Sequence, residues 1–255
     1  QTINSFNPKL AVNYHAGAAT RLHGSAGTGI RPPDAFEIAF TDNPNLKPER
    51  SRSMDAGVEQ QFAGGVYAIG ATAFYNRYDD LLITVGRLLQ DASRYKTDNI
   101  SNARSRGVEI AGDARFAPAL LLRASYTFTG TEILSVDGLN NVAPAPFKVG
   151  DALIRRPRHQ GAVDLTYAAK RFTAFGEVTT RGRTLDIEPT LGSFGGLFFS
   201  SGYTAANAGG SVRVGAGVEL YARVLNLTGR AYEETLGFPA LGRSGVVGVR
   251  VATDR

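Results

Sequence analysis

Asn43–Ser51 reads NPNLKPERS, a turn-forming run of Asn and Pro whose last residues lead straight into a segment of strict alternation. Working downstream, Met54, Ala56 and Val58 fall on one face, opposed by Asp55, Gly57, Glu59 and Gln61. Upstream, Leu22, Gly24 and Ala26 oppose Arg21, His23 and Ser25. A period of two is that of a β-strand with one apolar and one polar side. The stretch therefore joins two strands.

The same period runs on to the end of the chain. Tyr67, Ile69, Ala71, Ala73 and Tyr75 share a face that can continue into Leu81–Val85, and Val108 and Ile110 oppose Glu109 and Ala111. Leu120 to Phe128, Val163 to Tyr167, Val218 to Val224 and Val247 to Val251 repeat it. Connections near Gly17, Gly64, Pro118, Lys170 and Gly215 are short and built of small residues, whereas those at 31–48, 87–93, 135–150, 183–198 and 229–242 are longer. Short and long alternate strictly, the asymmetry that transmembrane barrels show between periplasmic turns and extracellular loops.

Composition narrows the choice. No apolar run approaches the ~20 residues of a transmembrane helix, but a barrel strand crosses with about 9 to 11. The net charge is +5 with the basic residues scattered, which argues against a nucleic-acid surface. With Cys 0 there is no disulfide framework, and His15, His23 and His159 share no metal-ligand spacing. No Ser/His/acid arrangement supports hydrolysis, and carboxylates recurring once per strand follow the pleat rather than a catalytic pair. We expect no catalytic residue, no metal and no cofactor.

Several segments, taken in order, resemble one family. Ile30-Arg31-Pro32-Pro33 with Phe36-Glu37, then NPNLKPERS with Gly57-Val58-Glu59, are followed by Phe74-Tyr75-Asn76 with Tyr78 to Ile83. Asn99-Ile100 to Glu109, Arg156-Pro157-Arg158-His159, and Asn226-Leu227 with Tyr232-Glu233 complete the set. Together they resemble TonB-dependent outer-membrane receptors of the siderophore and cobalamin type.

The resemblance implies an all-β fold: an antiparallel transmembrane β-barrel segment, about eleven strands of a barrel of about 22. It assigns residues 1–255 to the C-terminal part of such a barrel, in the outer membrane of a Gram-negative cell, with the plug domain, the TonB-contact segment and the earlier strands outside this sequence. An odd strand count agrees with a partial barrel. The implied activity is TonB-energised uptake of a scarce nutrient, a small iron chelate such as a ferric siderophore, or cobalamin. Implied partners are the plug, the remaining strands, the TonB complex through the plug, and lipopolysaccharide. A plugless porin or adhesin barrel and a soluble β-sandwich binding module are the alternatives. Family barrels end on an aromatic residue, and here Thr253 takes that place.

Two groups of residues are expected to matter. Arg21, Glu59, Glu109, Asp164 and Glu177 lie opposite the apolar face, hence toward the lumen, where they contact a plug or, more simply, pair across strands. Phe147, Phe194, Phe198, Phe199 and Phe238 fall in long loops and are expected ligand contacts, with anchoring or mutual packing as the plainer role. Arg155-Arg156-Pro157-Arg158 is expected to meet lipopolysaccharide phosphates, an anionic ligand or solvent.

Overall fold

The computed structural model describes residues 4–39, 45–85, 96–136, 147–188, 192–215, 217–235 and 237–252. Asn43, Pro44, the 87–93 loop and Thr253 lie outside them, as does the side chain of Phe194. In chain order the elements are β1 (Lys9–His15), β2 (Thr20–Arg31), a one-turn helix α1 (Ala35–Ala39), β3 (Glu49–Phe62), β4 (Tyr67–Val85), β5 (Lys96–Ala117) and β6 (Leu120–Val136). There follow β7 (His159–Ala168), β8 (Phe172–Arg181), β9 (Thr184–Glu188), β10 (Gly192–Ser200), β11 (Tyr203–Gly215), β12 (Val218–Leu225), β13 (Glu233–Thr235), β14 (Phe238–Pro239) and β15 (Ser244–Val251).

Eleven of these strands form one antiparallel sheet in the order β1-β2-β3-β4-β5-β6-β7-β8-β11-β12-β15. Every neighbour in space is a neighbour in sequence once the loop hairpins β9–β10 and β13–β14 are set aside. β1 and β15 are the two edges, so the sheet does not close into a barrel by itself. The expected eleven strands are present. The long connections differ in detail from the open loops expected at 183–198 and 229–242, because each holds a two-stranded hairpin of its own.

Register carries the alternation from strand to strand. Leu22 stands opposite Val58, Val58 opposite Ala71, Ala71 opposite Ile110 and Ile110 opposite Tyr126, one apolar row across five strands. On the other face, His23 pairs with Gly57, Gly57 with Thr72, Thr72 with Glu109, Glu109 with Thr127 and Thr127 with Gln160. A slip of one residue would exchange the two faces, so the chemistry of both fixes the pairing. Where a glycine leaves a gap, an aromatic ring fills it: Phe74 lies over Gly107, its partner on β5, and Phe175 over Gly209, its partner on β11.

The apolar face is exposed, with Val58, Ile69, Val108, Ile110, Val163 and Leu165 all open to the surroundings. Burial is concentrated instead at the long-loop end, where Leu46, Leu82, Ala103, Ile133, Phe147 and Ala205 are covered. A water-soluble sandwich would hide the first set. A sheet whose wide apolar side meets lipid has no need to.

Candidate functional site

The long-loop end begins with a clasp between the segments that flank Asn43–Ser51. Asp34 and Glu37 cap each other across the first turn of α1: the Glu37 amide donates to Asp34 Oδ1 at 2.8 Å and the Asp34 amide to Glu37 Oε2 at 2.8 Å. Glu37, thus fixed and buried, receives both Nη groups of Arg31 at 3.0 Å. Arg31 Nε donates to Glu49 Oε2 at 2.6 Å, and the other oxygen of Glu49 accepts the Leu82 amide at 2.8 Å. Hydrogen bonds to Glu49 first and Glu37 second raise the Arg31 guanidinium above its ordinary pKa, so it stays charged.

Asn99 closes the clasp from β5. Its Oδ1 accepts the Lys47 amide at 2.7 Å, and its Nδ2 donates to the carbonyls of Lys47 at 2.8 Å and Asp80 at 2.7 Å. Between these bonds Leu46 is tucked away at 5% exposure. The residues that carry the family resemblance thus hold one another in place.

Next to it, Ile133 and Phe147 form a buried pair packed against Leu81, Val136, Leu153, Ile154 and Leu197. Phe147 is 3% exposed, so it props the loop layer, and a ligand would reach it only if that cluster opened. Phe198, Phe199 and Phe238 are exposed at 42%, 59% and 65%. The Arg183 guanidinium lies 4.6 Å from the centre of the Phe199 ring, a cation–π contact. Phe199, Arg230, Tyr232 and Glu233 border a cavity of about 310 Å³, beside which Tyr203 and Tyr232 stack with centroids 4.1 Å apart. Phe198 and Phe199 stand on β10 and Phe238 on β14, the hairpins missing from the sequence reading.

Arg155 does not stand free in this layer. Its Nε donates to Asp186 Oδ1 at 2.8 Å, and that carboxylate is fully buried. Asn226, 4% exposed, ties the last long connection: its side chain accepts the Arg230 amide at 2.9 Å and donates to the carbonyls of Arg230 and Leu241.

The second group lies on the polar face, toward the short turns. Arg21 grips Glu59 with two hydrogen bonds, the Nε to Oε2 bond measuring 3.0 Å. Asp113, Arg123, Asp164, Glu177 and Asn207 follow one another in register across β5, β6, β7, β8 and β11. Asn207 donates to Glu177 at 3.3 Å and accepts the Asn226 amide at 2.9 Å, joining this row to the loop layer. Among the described residues Glu109, Asp113, Arg123 and Asp164 have no ion-pair partner within 4 Å. Three of these line, with Glu59 and Gly70, a concavity of about 450 Å³. Its depth comes from small neighbours, Gly70, Ala111 and Ser125, in consecutive register.

The aromatic and charged groups are therefore separate, one at the loop end and one on the polar face. Among the described residues no three His, Cys, Asp or Glu converge as a metal site would require.

A sequence model of the TonB dependent receptor-like β-barrel matches residues 1–227. The chain belongs to this family. As in the family, it is a β-barrel protein of the outer membrane. The vitamin B12 transporter BtuB of Vibrio vulnificus is 27% identical over 226 residues, covering 78% of this chain and 34% of the transporter. That of Photobacterium profundum is 23% identical over 234 residues, 88% of this chain and 34% of the relative. Among solved structures, the copper transporter OprC superposes with a TM-score of 0.76 at 20% identity over 95% of this chain and 39% of its own. The ferric-catecholate import receptor Fiu of E. coli gives 0.70 at 18% over 95% and 34%. At these identities the structural likeness concerns the fold, and the chain spans about a third of the curated relatives' length.

Proposed function

We propose that this chain is the C-terminal part of the barrel of a TonB-energised importer, and not of an enzyme. The observation that carries the reading is the sidedness of the sheet: a braced, aromatic-bearing loop layer at one end and short turns at the other, in a chain matching the receptor barrel over residues 1–227. The exposed rings of Phe198, Phe199 and Phe238 with Arg183 offer a surface for a large, partly aromatic ligand. Glu109, Asp113, Arg123 and Asp164, on the polar face and without an ion-pair partner among the described residues, offer contacts to a plug that is drawn aside during import. Pulling through TonB would supply the work. Both curated relatives are named vitamin B12 transporters, which makes cobalamin the first ligand to test and ferric siderophores the second.

The test is made on the complete protein as the cell makes it, extracted with detergent. Proteolysis of the loops is followed with cobalamin or a ferric siderophore added, beside gel mobility with and without heating. A heat-modifiable band protected by one ligand supports the reading and names the nutrient. Free passage of small solutes without any energised step points to a porin instead.

A further inference from the structure

Outside the clasp, the apolar face ends abruptly in arginine. On β3, Met54 to Phe62 keep an apolar or uncharged side chain at each outward position for about nine residues, the span a tilted barrel strand needs to cross a bilayer. β4 does the same from Tyr67 to Tyr75 and β5 from Val108 to Phe116. One step further toward the long loops, the outward positions are Arg50 and Arg52 on β3, Arg77 on β4, and Arg104 and Arg106 on β5. Register puts Arg52 directly opposite Arg77, and Arg77 opposite Arg104.

Like charges opposed across a sheet repel. Partial relief comes from Asp79, which meets Arg52 at 3.4 Å and Arg77 at 3.2 Å, and from Glu132, which meets Arg104 at 2.6 Å. Among the described residues Arg50 and Arg106 have no ion-pair partner within 4 Å. Five arginines on β3, β4 and β5 against Asp79 on β4 and Glu132 on β6 leave +3 across four adjacent strands. In register beside the cluster the outward residues are Thr28 and Ile30 on β2 and Gly130 on β6. The patch is local.

We propose that Arg50, Arg52, Arg77, Arg104 and Arg106 bind the phosphates of a glycolipid in the outer leaflet, whose acyl chains run down the apolar strip beneath. Long loops of such barrels are extracellular, so the patch lies at the height of the outer headgroups. Guanidinium groups suit phosphate because they offer paired donors in a plane, and several arginines can share a bisphosphorylated headgroup. Met54, Tyr75 and Val108 stand next to the cluster on the lipid-facing side. Arg155, the first residue of the run expected to meet lipopolysaccharide, is instead engaged by Asp186. The site rests on the outer-membrane location and would stand if the import reading failed.

The complete protein is purified in detergent, and bound lipid is read by native mass spectrometry after adding bisphosphorylated lipid A, the same lipid stripped of phosphate, or inorganic phosphate. We expect a preference of about tenfold or more for the phosphorylated lipid, no displacement by millimolar inorganic phosphate, and a similar loss in R50A/R106A. R50K/R106K should keep most of the binding, and R156A/R158A all of it. Equal binding of the stripped lipid overturns the proposal, as does full binding by R50A/R106A or displacement by inorganic phosphate. If R50A/R106A does not fold, the lipid comparison on the unaltered protein decides alone.

Discussion

The side chain of Asn99 forms hydrogen bonds in both directions with the backbone of Lys47, accepting its amide at 2.7 Å and donating to its carbonyl at 2.8 Å. One amide side chain thereby holds the entry to β3 against β5, across the intervening β4. An Asn does this well because donor and acceptor lie in one plane at its end.

N99A should loosen that entry by about 1 to 3 kcal/mol, the sum of a few ordinary hydrogen bonds. The readout is hydrogen exchange at the Lys47 amide, which should quicken. N99D keeps the acceptor and loses the donor, so it should fall between. Unchanged exchange in N99A would mean that the bonds contribute nothing to holding the segment.

Glu49 joins Arg31 to the Leu82 amide; its removal takes this partner from the amide, while Arg31 keeps Glu37. E49A is expected to cost about 1 to 3 kcal/mol, because a buried donor left without a partner loses its full desolvation cost. E49Q can still accept one bond and should cost less. Thermal melting of the complete protein in detergent ranks the two, and equal losses would contradict the second role.

The sheet was legible in the sequence and the clasp was not, for a physical reason. Alternation is a local property, readable in any six residues, and the small residues at Gly17 and Gly64 mark the tight turns. The Asn99 bond spans 52 positions, and nothing in the residues around Asn99 names Lys47. Glu37, Glu49 and Asn226 lie in segments that carry the family resemblance, yet their neighbours in sequence do not reveal what they hold. Asp186 carried no signal at all, since a charged residue beside a loop reads as solvated until its partner is seen. The hairpin β9–β10 escaped because the run Gly192–Gly196 is too rich in glycine to alternate, and β13–β14 because strands of three and two residues are too short to show a period. Phe147 was expected to contact a ligand, anchor or pack within the loops, and its burial rests in part on Leu81 and Leu197, brought in from distant parts of the chain.

Two glycines of the sheet should respond oppositely to the same change. A Cβ on Gly107 would run into the carbonyl oxygen of Phe128 and the ring of Phe74, whereas one on Gly176 meets nothing within 4 Å. G107A is expected to destabilise by about 1 to 3 kcal/mol, since a neighbouring strand cannot step back. G176A should be neutral or slightly stabilising, because alanine restricts the unfolded chain more. The fraction of protein that resists unfolding in unheated gels separates them, and the reverse order would refute the packing argument.

The Arg21–Glu59 pair is a test of how little an open ion pair matters. Both side chains keep substantial contact with solvent, 40% and 45% exposed. E59Q should therefore change barrel stability by less than about 1 kcal/mol. The same variant is informative about a plug: a marked rise in passive leakage of small solutes through the complete protein, with melting unchanged, would place Glu59 in contact with it.

Phe147 and Phe199 should separate stability from ligand capture. Phe147 is buried against Ile133, Leu153 and Leu197, so F147A opens a cavity in the loop layer and should cost about 3 to 5 kcal/mol. Phe199 is more than half exposed on β10 under the Arg183 guanidinium. F199A leaves no buried void and should lower stability by no more than about 1 kcal/mol, the scale of an exposed cation–π contact. If the loop layer captures the nutrient through its open rings, F199A weakens protection by cobalamin or a ferric siderophore at unchanged melting temperature. F147A should lower the melting temperature first and affect binding only through it. Undiminished protection in F199A, together with F198A and F238A, would move the ligand site away from these rings.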